Sequence, residues 1–195
     1  WGGFDEPGAH GRFAREQEVY LQATRRWRNL GKPTIAAVQG RCIAGGLMLA
    51  WACDLIVASD DAQFCDPVVT LGVCGVEWFV HPFELGPRKA KELLWTAESW
   101  SAAEAHRLGM VNHVVPRAEL AAFTLALAAK IAVKPAFAVK LTKEAVNRSV
   151  DLMGQNDAIE QAFALHQLCH AHNMMQFGMV VDPAGLHPSV KKPPS

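Results

Sequence analysis

The stretch that decides the fold is Thr34–Ser59, with the sequence T-I-A-A-V-Q-G-R-C-I-A-G-G-L-M-L-A-W-A-C-D-L-I-V-A-S. Its first five residues are apolar or β-branched and predict a short buried strand. The pair Gly45-Gly46 follows, and an apolar run over Leu47–Ala52 predicts a helix. A second apolar strand is expected over Leu55–Ala58. Strand, glycine turn, helix and strand together predict a compact βαβ-like unit.

The backbone of the glycine pair could carry chemistry. Glycine lets a main chain approach a ligand closely, and the first N–H groups of a helix have no partner within that helix. The N–H groups of Gly45 and Gly46 could therefore hold a developing negative charge, as an oxyanion hole does. The other interpretation is that the glycines only allow close packing of strand and helix. The pair alone does not decide between the two.

Composition limits the class of protein. Half of the 195 residues are apolar, which is enough for a sizeable core and indicates one domain. The net charge of zero gives no electrostatic reason to expect nucleic acid or an anionic membrane as a partner. Five cysteines without a C-x-x-C pair suit buried thiols in a reducing compartment. We therefore expect a cytoplasmic protein without membrane spans.

Four sequence blocks follow one another between Lys32 and Pro116. They are K-P-T-I-A-A-V-Q-G-x-x-x-A-G-G, C-D-L-I-V-A-S, A-Q-F-x-x-P and S-A-x-E-A-x-R-L-G-M-V-N-H-V-V-P. In this combination the chain resembles the crotonase (enoyl-CoA hydratase/isomerase) superfamily. The resemblance implies an α/β fold of the ClpP/crotonase type, with a parallel-sheet ββα core in residues 1–116. It also implies a helical region over 117–177 that packs between subunits, and we expect an extended tail over 178–195.

The resemblance carries further expectations about assembly and substrate. Proteins of this superfamily usually form trimers or dimers of trimers, and they act on acyl- or enoyl-CoA thioesters. Coenzyme A is then part of the substrate, and no metal or redox cofactor is expected. Members normally have several strands, and a loop with a second oxyanion donor, before the point at which this chain starts. We therefore expect the chain to be the C-terminal part of a longer protein.

Matching residue by residue, Gly45 takes the position of the superfamily's oxyanion glycine. Enoyl-CoA hydratases use two glutamates to activate water. Their positions here are Met48, three residues after Gly45, and Val68, directly after Pro67. Neither side chain can exchange a proton, so the sequence favours isomerase or hydrolase/lyase-type chemistry over hydration. The predicted substrate pocket is lined by Ala44, Gly46, Met48, Val68, Leu71 and Trp78.

Other members of the superfamily place the acid/base after the Q-F-x-x-P block. Glu77 is the first carboxylate there, and its neighbours are apolar, which would raise its pKa. We therefore predict Glu77 as the acid/base. The alternative is a structural glutamate at the start of a helix over 77–85, where it would complement the helix dipole. A second possibility for this segment is that Pro82 marks the first turn of the helix. A non-catalytic acyl-CoA-binding or assembly subunit is the alternative function, since both hydratase carboxylates are missing.

The remaining candidates have mainly structural interpretations. Asp66 is expected to begin a turn, Cys74 to pack, and His81 either to pack or to orient Glu77. His166, Cys169 and His170 share one helix face at a spacing that can hold zinc, but no fourth ligand is evident nearby, so we predict no metal.

The segment before the deciding stretch is expected to be a loop to Gly11 and then a helix over 13–30. The predicted buried stripe of that helix is Phe13, Tyr20, Ala23, Trp27 and Leu30. The arginines at 12, 15, 25, 26 and 28 are expected mostly on a solvated face, with coenzyme A phosphates as the alternative contact.

Overall fold

The computed structural model describes residues 3–186, in which two small sheets form the centre and helices surround them. The strands are β1 (Ile35–Val38), β2 (Arg41–Ile43), β3 (Leu55–Ser59), β4 (Gln63–Cys65), β5 (Trp100–Ser101) and β6 (His113–Val115). One sheet has the order β1-β3-β6 and is parallel throughout. In the other, β2 and β4 are parallel and β5 is antiparallel to β4.

Helices make up most of the remaining structure. They are α1 (Gly8–Glu16), α2 (Ala23–Arg28), α3 (Gly45–Ala52), α4 (His81–Leu85), α5 (Pro87–Thr96), α6 (Ala102–Arg107), α7 (Leu120–Ala132), α8 (Ala136–Leu152) and α9 (Gln155–Phe177). A π-helical segment, Gln17–Gln22, joins α1 to α2 without a break. Short 3₁₀ turns occupy Val68–Leu71, Arg117–Glu119 and Pro183–Gly185.

The predicted βαβ-like unit is confirmed. β1 and β3 are parallel neighbours, in register from Ile35 opposite Leu55 to Val38 opposite Ala58. Helix α3 connects β2 to β3. It is apolar on every side, and five of its eight residues are buried, whereas Gly45, Gly46 and Leu49 are exposed. The strand β2 was not predicted, since three residues are too short for a periodic pattern. It pairs with β4 and so brings the glycine turn beside the Q-F-x-x-P block.

The N-terminal helix differs from the prediction in its start and its buried face. It begins at Gly8 rather than Phe13, and the expected stripe is largely exposed. The buried positions are instead Arg12, Leu21, Thr24 and Arg28. Two arginines are buried because they have partners: Arg28 binds both carboxylate oxygens of Asp151, at 3.0 and 3.3 Å, and Arg12 contacts Gln167 at 3.4 Å. Because the π-helical segment changes the helical phase, a regular 3.6-residue pattern misplaced the face.

The other arginines of this helix are exposed or partly exposed, and each has a protein partner. Arg25 pairs with Glu160 at 2.6 Å, Arg26 pairs with Glu18 at 2.7 Å, and Arg15 donates to the backbone oxygen of Phe4. The ion pair of Arg25 thus links the N-terminal helix to α9, whereas the contacts of Arg26 and Arg15 stay within the N-terminal segment.

The helix predicted over 77–85 begins only at His81. Pro82 lies in its first turn, where its missing N–H costs nothing. Residues before it are not helical because Asp66 accepts a hydrogen bond from the N–H of Val76, at 2.9 Å, and Gly75 has a φ of +155°.

The C-terminal half is helical, and many of its apolar side chains are exposed. No side chain of α8 is buried against the described part of the chain. Exposed apolar residues on α7, α8 and α9 include Leu125, Phe137, Leu152, Leu165, Leu168 and Met175. Within residues 3–186, no single helix is long and apolar enough to cross a membrane. By length and composition, only the bent pair Arg117–Ala132 and Ala136–Leu152, at 106°, passes that criterion.

The segment predicted as an extended tail is partly folded. The N–H of Asp182 donates to the backbone oxygen of Leu71 at 2.8 Å, and a 3₁₀ turn follows over Pro183–Gly185. This segment therefore packs against the turn at Val68–Leu71. Residues 187–195 lie outside the described part of the chain.

Candidate active site

The glycine turn is the junction between β2 and α3. Ala44 occupies it with φ +47° and ψ −107°, an unusual conformation for a residue with a side chain. Its N–H donates to the backbone oxygen of Cys65 at 3.0 Å, and its own carbonyl accepts from the N–H of Met48 at 3.0 Å. The N–H groups of Gly45 and Gly46 therefore lie in the first turn of α3, ahead of the hydrogen bond that Met48 makes.

The structure gives evidence on why this turn contains glycine. A Cβ added at Gly45 would meet no atom of the described chain within 4 Å. A Cβ at Gly46 would lie 3.8 Å from Sγ of Cys42, an ordinary contact. Neither glycine has a positive φ. The fold of the chain therefore does not require glycine at either position, which favours close approach of a ligand over close packing.

The predicted pocket residues around this turn are mostly apolar and packed together. Met48 and Trp78 belong to the main core cluster, and Ala44 and Val68 pack against it. The two positions at which a hydratase glutamate was expected thus present a thioether and an isopropyl group to an apolar surrounding. Leu71 lies further away along the 3₁₀ turn and binds the C-terminal segment through its backbone oxygen.

Glu77 is a largely buried carboxylate. Burial raises its pKa above the usual value, and the nearby carboxylate of Glu16 acts in the same direction. Its Oε1 lies 3.8 Å from Nε2 of His166 on α9. Since no helix starts at Glu77, the interpretation as a dipole-complementing residue is wrong. A carboxyl group with a raised pKa suits proton transfer near neutral pH.

A protein-family model described as enoyl-CoA hydratase/isomerase matches residues 7–181. The chain belongs to the enoyl-CoA hydratase/isomerase family. EchA13 of Mycobacterium tuberculosis, provisionally named an enoyl-CoA hydratase, is 54% identical over 166 residues, which are 85% of this chain and 52% of that protein. The chain thus spans about half the length of the curated relatives it matches.

Solved structures of the enoyl-CoA hydratase/isomerase family share the fold. A probable enoyl-CoA hydratase from Mycobacterium smegmatis is 50% identical, with a TM-score of 0.89, and the match covers 91% of this chain and 73% of that one. An enoyl-CoA hydratase/isomerase from Xanthobacter autotrophicus Py2 is 32% identical, with a TM-score of 0.80, covering 91% and 63%. The predicted crotonase-type α/β fold is confirmed.

Within this family fold, Asp66 has the structural role expected of it. Its carboxylate accepts from the N–H of Val68 at 3.3 Å and from that of Val76 at 2.9 Å, and so ties both ends of the loop after β4. His81 lies against it, with Nε2 2.9 Å from Oδ2, although the ring is not aligned for a hydrogen bond. The alternative that His81 orients Glu77 is therefore wrong, because His81 faces Asp66.

The histidines of α9 lie in a group that the sequence did not reveal. His166 and His170 both face Glu16 of α1, with N–O distances of 3.7 and 3.6 Å. Burial lowers the pKa of both imidazoles. Cys169 stands apart from this group, since its thiol interacts with that of Cys74. Burial and this neighbour raise the pKa of Cys74 to about 12, consistent with packing.

A further carboxyl group with a raised pKa was not singled out from the sequence. Glu84 lies in a groove of about 700 Å³ between the core and α8, beside Trp51 and Trp78. Desolvation raises its pKa to about 7. The groove borders the C-terminal end of α3, whereas Gly45 opens the N-terminal end. The apolar neighbours Trp78 and Phe83 were the only signal for this shift in the sequence.

Proposed function

We propose that the chain contributes an oxyanion-binding turn to an enzyme that acts on acyl- or enoyl-CoA thioesters. The observation that carries this proposal is the open space at Gly45, the first residue of α3. The fold of the chain does not require glycine at this position. The backbone N–H of Gly45 would hold the thioester oxygen as an enolate or tetrahedral anion, and such a donor contributes ~10²–10³ to the rate.

The residues around the turn argue for chemistry other than hydration. Addition of water needs a group that removes its proton, and Met48 and Val68 cannot do so. Isomerisation of a double bond needs one group that moves a proton between two carbons, and hydrolysis of a thioester or C–C bond needs one group that activates the attacking water. We propose one of these reactions, with Glu77 as the acid/base. Its support is the raised pKa and the position after the Q-F-x-x-P block.

The remaining parts of the proposal concern cofactors and assembly. The enolate chemistry requires no metal or redox cofactor at Gly45, and coenzyme A enters as part of the substrate. Apolar side chains exposed on α7, α8 and α9 support assembly into a trimer or a dimer of trimers. The five free cysteines and neutral charge support a cytoplasmic location.

The test uses the full-length protein and a panel of enoyl- and acyl-CoA thioesters in heavy water, with products followed by mass spectrometry. We expect either deuterium at carbon, or free coenzyme A together with the acid that hydrolysis forms, and no water added across the carbon–carbon double bond. Glu77→Gln should slow the reaction by about 10²–10⁴-fold. The matched control is Glu98→Gln, which changes an exposed glutamate and should leave the rate unchanged.

Other outcomes would replace the proposal. Water added across the double bond would show that the argument from Met48 and Val68 is wrong. Full activity of Glu77→Gln would remove its assigned role. Binding of the thioesters without turnover would favour the alternative of a non-catalytic acyl-CoA-binding or assembly subunit, for which the missing hydratase carboxylates are the support.

A further inference from the structure

Four titratable side chains from three separate parts of the chain meet beside α9. Glu16 comes from the end of α1, Glu77 from the loop after β4, and His166 and His170 from α9. The exposed fractions of these side chains are 15%, 13%, 6% and 9%, respectively. Ligand atoms of Glu16, His166 and His170 all lie within 4.8 Å of one another.

The hydrogen bonds of the two imidazoles determine which nitrogen faces the group. Nδ1 of His166 lies 2.8 Å from the backbone oxygen of Gly75, and Nδ1 of His170 lies 2.6 Å from that of Val180. A carbonyl oxygen can only accept, so each Nδ1 carries a hydrogen. In the neutral rings, Nε2 then carries the free lone pair, and Nε2 is the nitrogen that lies 3.6–3.7 Å from Glu16. Backbone carbonyls hold metal-binding histidines in the same way.

The distances within the group are too long for hydrogen bonds. Nε2 of His166 is 3.7 Å from Oε2 of Glu16 and 3.8 Å from Oε1 of Glu77, and Nε2 of His170 is 3.6 Å from Oε1 of Glu16. No described residue gives the buried Nε2 of His166 a hydrogen-bond partner. A nearly completely buried polar atom without a partner is costly. A buried nitrogen of this kind is satisfied by an ordered water or by a metal ion.

A metal ion would satisfy all of these atoms at once. Bonds of about 2.0–2.1 Å in a tetrahedral zinc site separate neighbouring ligand atoms by about 3.3 Å. The distances from Glu16 to Nε2 of His166 and of His170, 3.7 and 3.6 Å, are close to this value. Two histidines one helical turn apart and a glutamate from another element form a His₂Glu set. Gln167 donates from Nε2 to Oε2 of Glu16 and so orients that carboxylate. The guanidinium of Arg12 lies nearby and opposes a cation, but two carboxylates outweigh it.

We propose that Glu16, His166 and His170 form a binding site for Zn²⁺ or a similar divalent transition metal, with Glu77 beside the remaining coordination position. The sequence showed only the helical spacing of the histidines, because Glu16 is some 150 residues away along the chain. Cys169, which shares that spacing, is not a ligand. The site does not depend on the proposed thioester chemistry, since binding is measured without substrate.

The test is a titration of the purified full-length chain with Zn²⁺ by calorimetry, after treatment with EDTA. We expect one ion per chain, and visible absorption bands when Co²⁺ is the probe. Mg²⁺ should not bind, because it prefers oxygen ligands. His170→Gln and Glu16→Gln should each weaken zinc binding by more than about tenfold, the effect of losing even an outer-shell partner.

Matched controls distinguish loss of a metal ligand from changes at other side chains and from misfolding. His172→Gln replaces an exposed histidine of the same helix and should bind zinc as the parent does. Cys169→Ser should also bind normally. Circular dichroism and the melting temperature, recorded first, establish that each variant is folded, and zinc should raise the melting temperature of the parent but not of folded His170→Gln. Absence of saturable binding, unchanged binding in both ligand variants, or loss of binding in Cys169→Ser would overturn the proposal.

Discussion

The fold of this chain requires glycine at some positions and not at others. Gly72 has a φ of +71°, and an added Cβ would lie 2.8 Å from Oδ1 of Asn173. At this position the backbone conformation and the contact both require glycine. Gly45 has neither constraint, although the strained residue beside it, Ala44, does carry a side chain. The unusual backbone conformation of Ala44 sets the direction in which α3 begins. The absence of a side chain at Gly45 leaves room for a ligand beside this first turn.

This contrast makes Gly45→Ala an informative substitution. The new methyl group enters open space, so the free energy of unfolding should change by less than about 1 kcal/mol. Because the methyl group would lie where we propose that the thioester oxygen approaches, deuterium exchange on the substrate should fall by about 10²–10³-fold. Urea denaturation and mass spectrometry measure the two effects. Gly72→Ala is the comparison, since it should be clearly destabilised. Parental activity in Gly45→Ala would argue against the oxyanion role.

At the scale of single residues, sequence patterns located some site residues and missed others. Gly45, Met48 and Val68 were assigned by matching short motifs to the family, and their roles stay predictions. The surroundings of Glu77 could not, because its neighbour His166 lies on the last helix. The carbonyl of Gly75 and the ring of His166, for example, are 91 residues apart in the chain. Such contacts depend on how the elements pack, which no local pattern contains.

Among the elements, α6 begins at a local sequence signal, a serine followed three residues later by a glutamate. Ser101 is the N-cap of α6, and its Oγ accepts from the N–H of Glu104 at 3.2 Å. The side chain of Glu104 does not return to Ser101 as in a full capping box but binds Arg107 at 2.7 Å. The short strands β2 and β5 and the π-helical segment had no such signal. Their formation depends on partners elsewhere in the fold.

The cap predicts a measurable loss of stability. Ser101→Ala leaves the N–H of Glu104 without its acceptor and should lower the free energy of unfolding by about 0.5–2 kcal/mol. Ser149→Ala is the control, since that exposed serine lies inside α8, where alanine is at least as favourable. Urea denaturation of both variants measures the difference. Equal stability of Ser101→Ala and the parent would mean that water replaces the cap.

At the scale of the whole molecule, the C-terminal helices expose more apolar surface than a monomer of this size needs. The side chains of Leu168 and Met175 on α9 are 63% and 84% exposed, and Leu152 at the end of α8 is 89% exposed. Large apolar side chains exposed in this number on neighbouring helices favour an interface. β1, β3 and α3 could be predicted from the sequence because their residues form continuous apolar runs. The partner of α7–α9 could be inferred only from the family resemblance.

We expect light scattering to give three times the chain mass of 21.2 kDa, or six times that mass for a dimer of trimers. Leu168→Glu places a charge on the exposed apolar surface and should shift the protein towards monomer. Lys89→Glu, on the distant helix α5, serves as a charge-changing control. A parent protein that is monomeric at micromolar concentration would contradict the proposed assembly.

Helix α9 also has a consequence for genetics. Asn173 donates hydrogen bonds to the backbone oxygens of Leu71, Gly72 and Val180. His166 makes a hydrogen bond with the backbone oxygen of Gly75, so α9 supports the loop that carries Glu77. A stop codon between residues 155 and 166 would preserve the codons for Gly45, both sheets and Glu77 itself. It would nevertheless remove the support of that loop together with two proposed metal ligands. Such an allele should behave as a null, although every residue assigned to thioester chemistry is still translated.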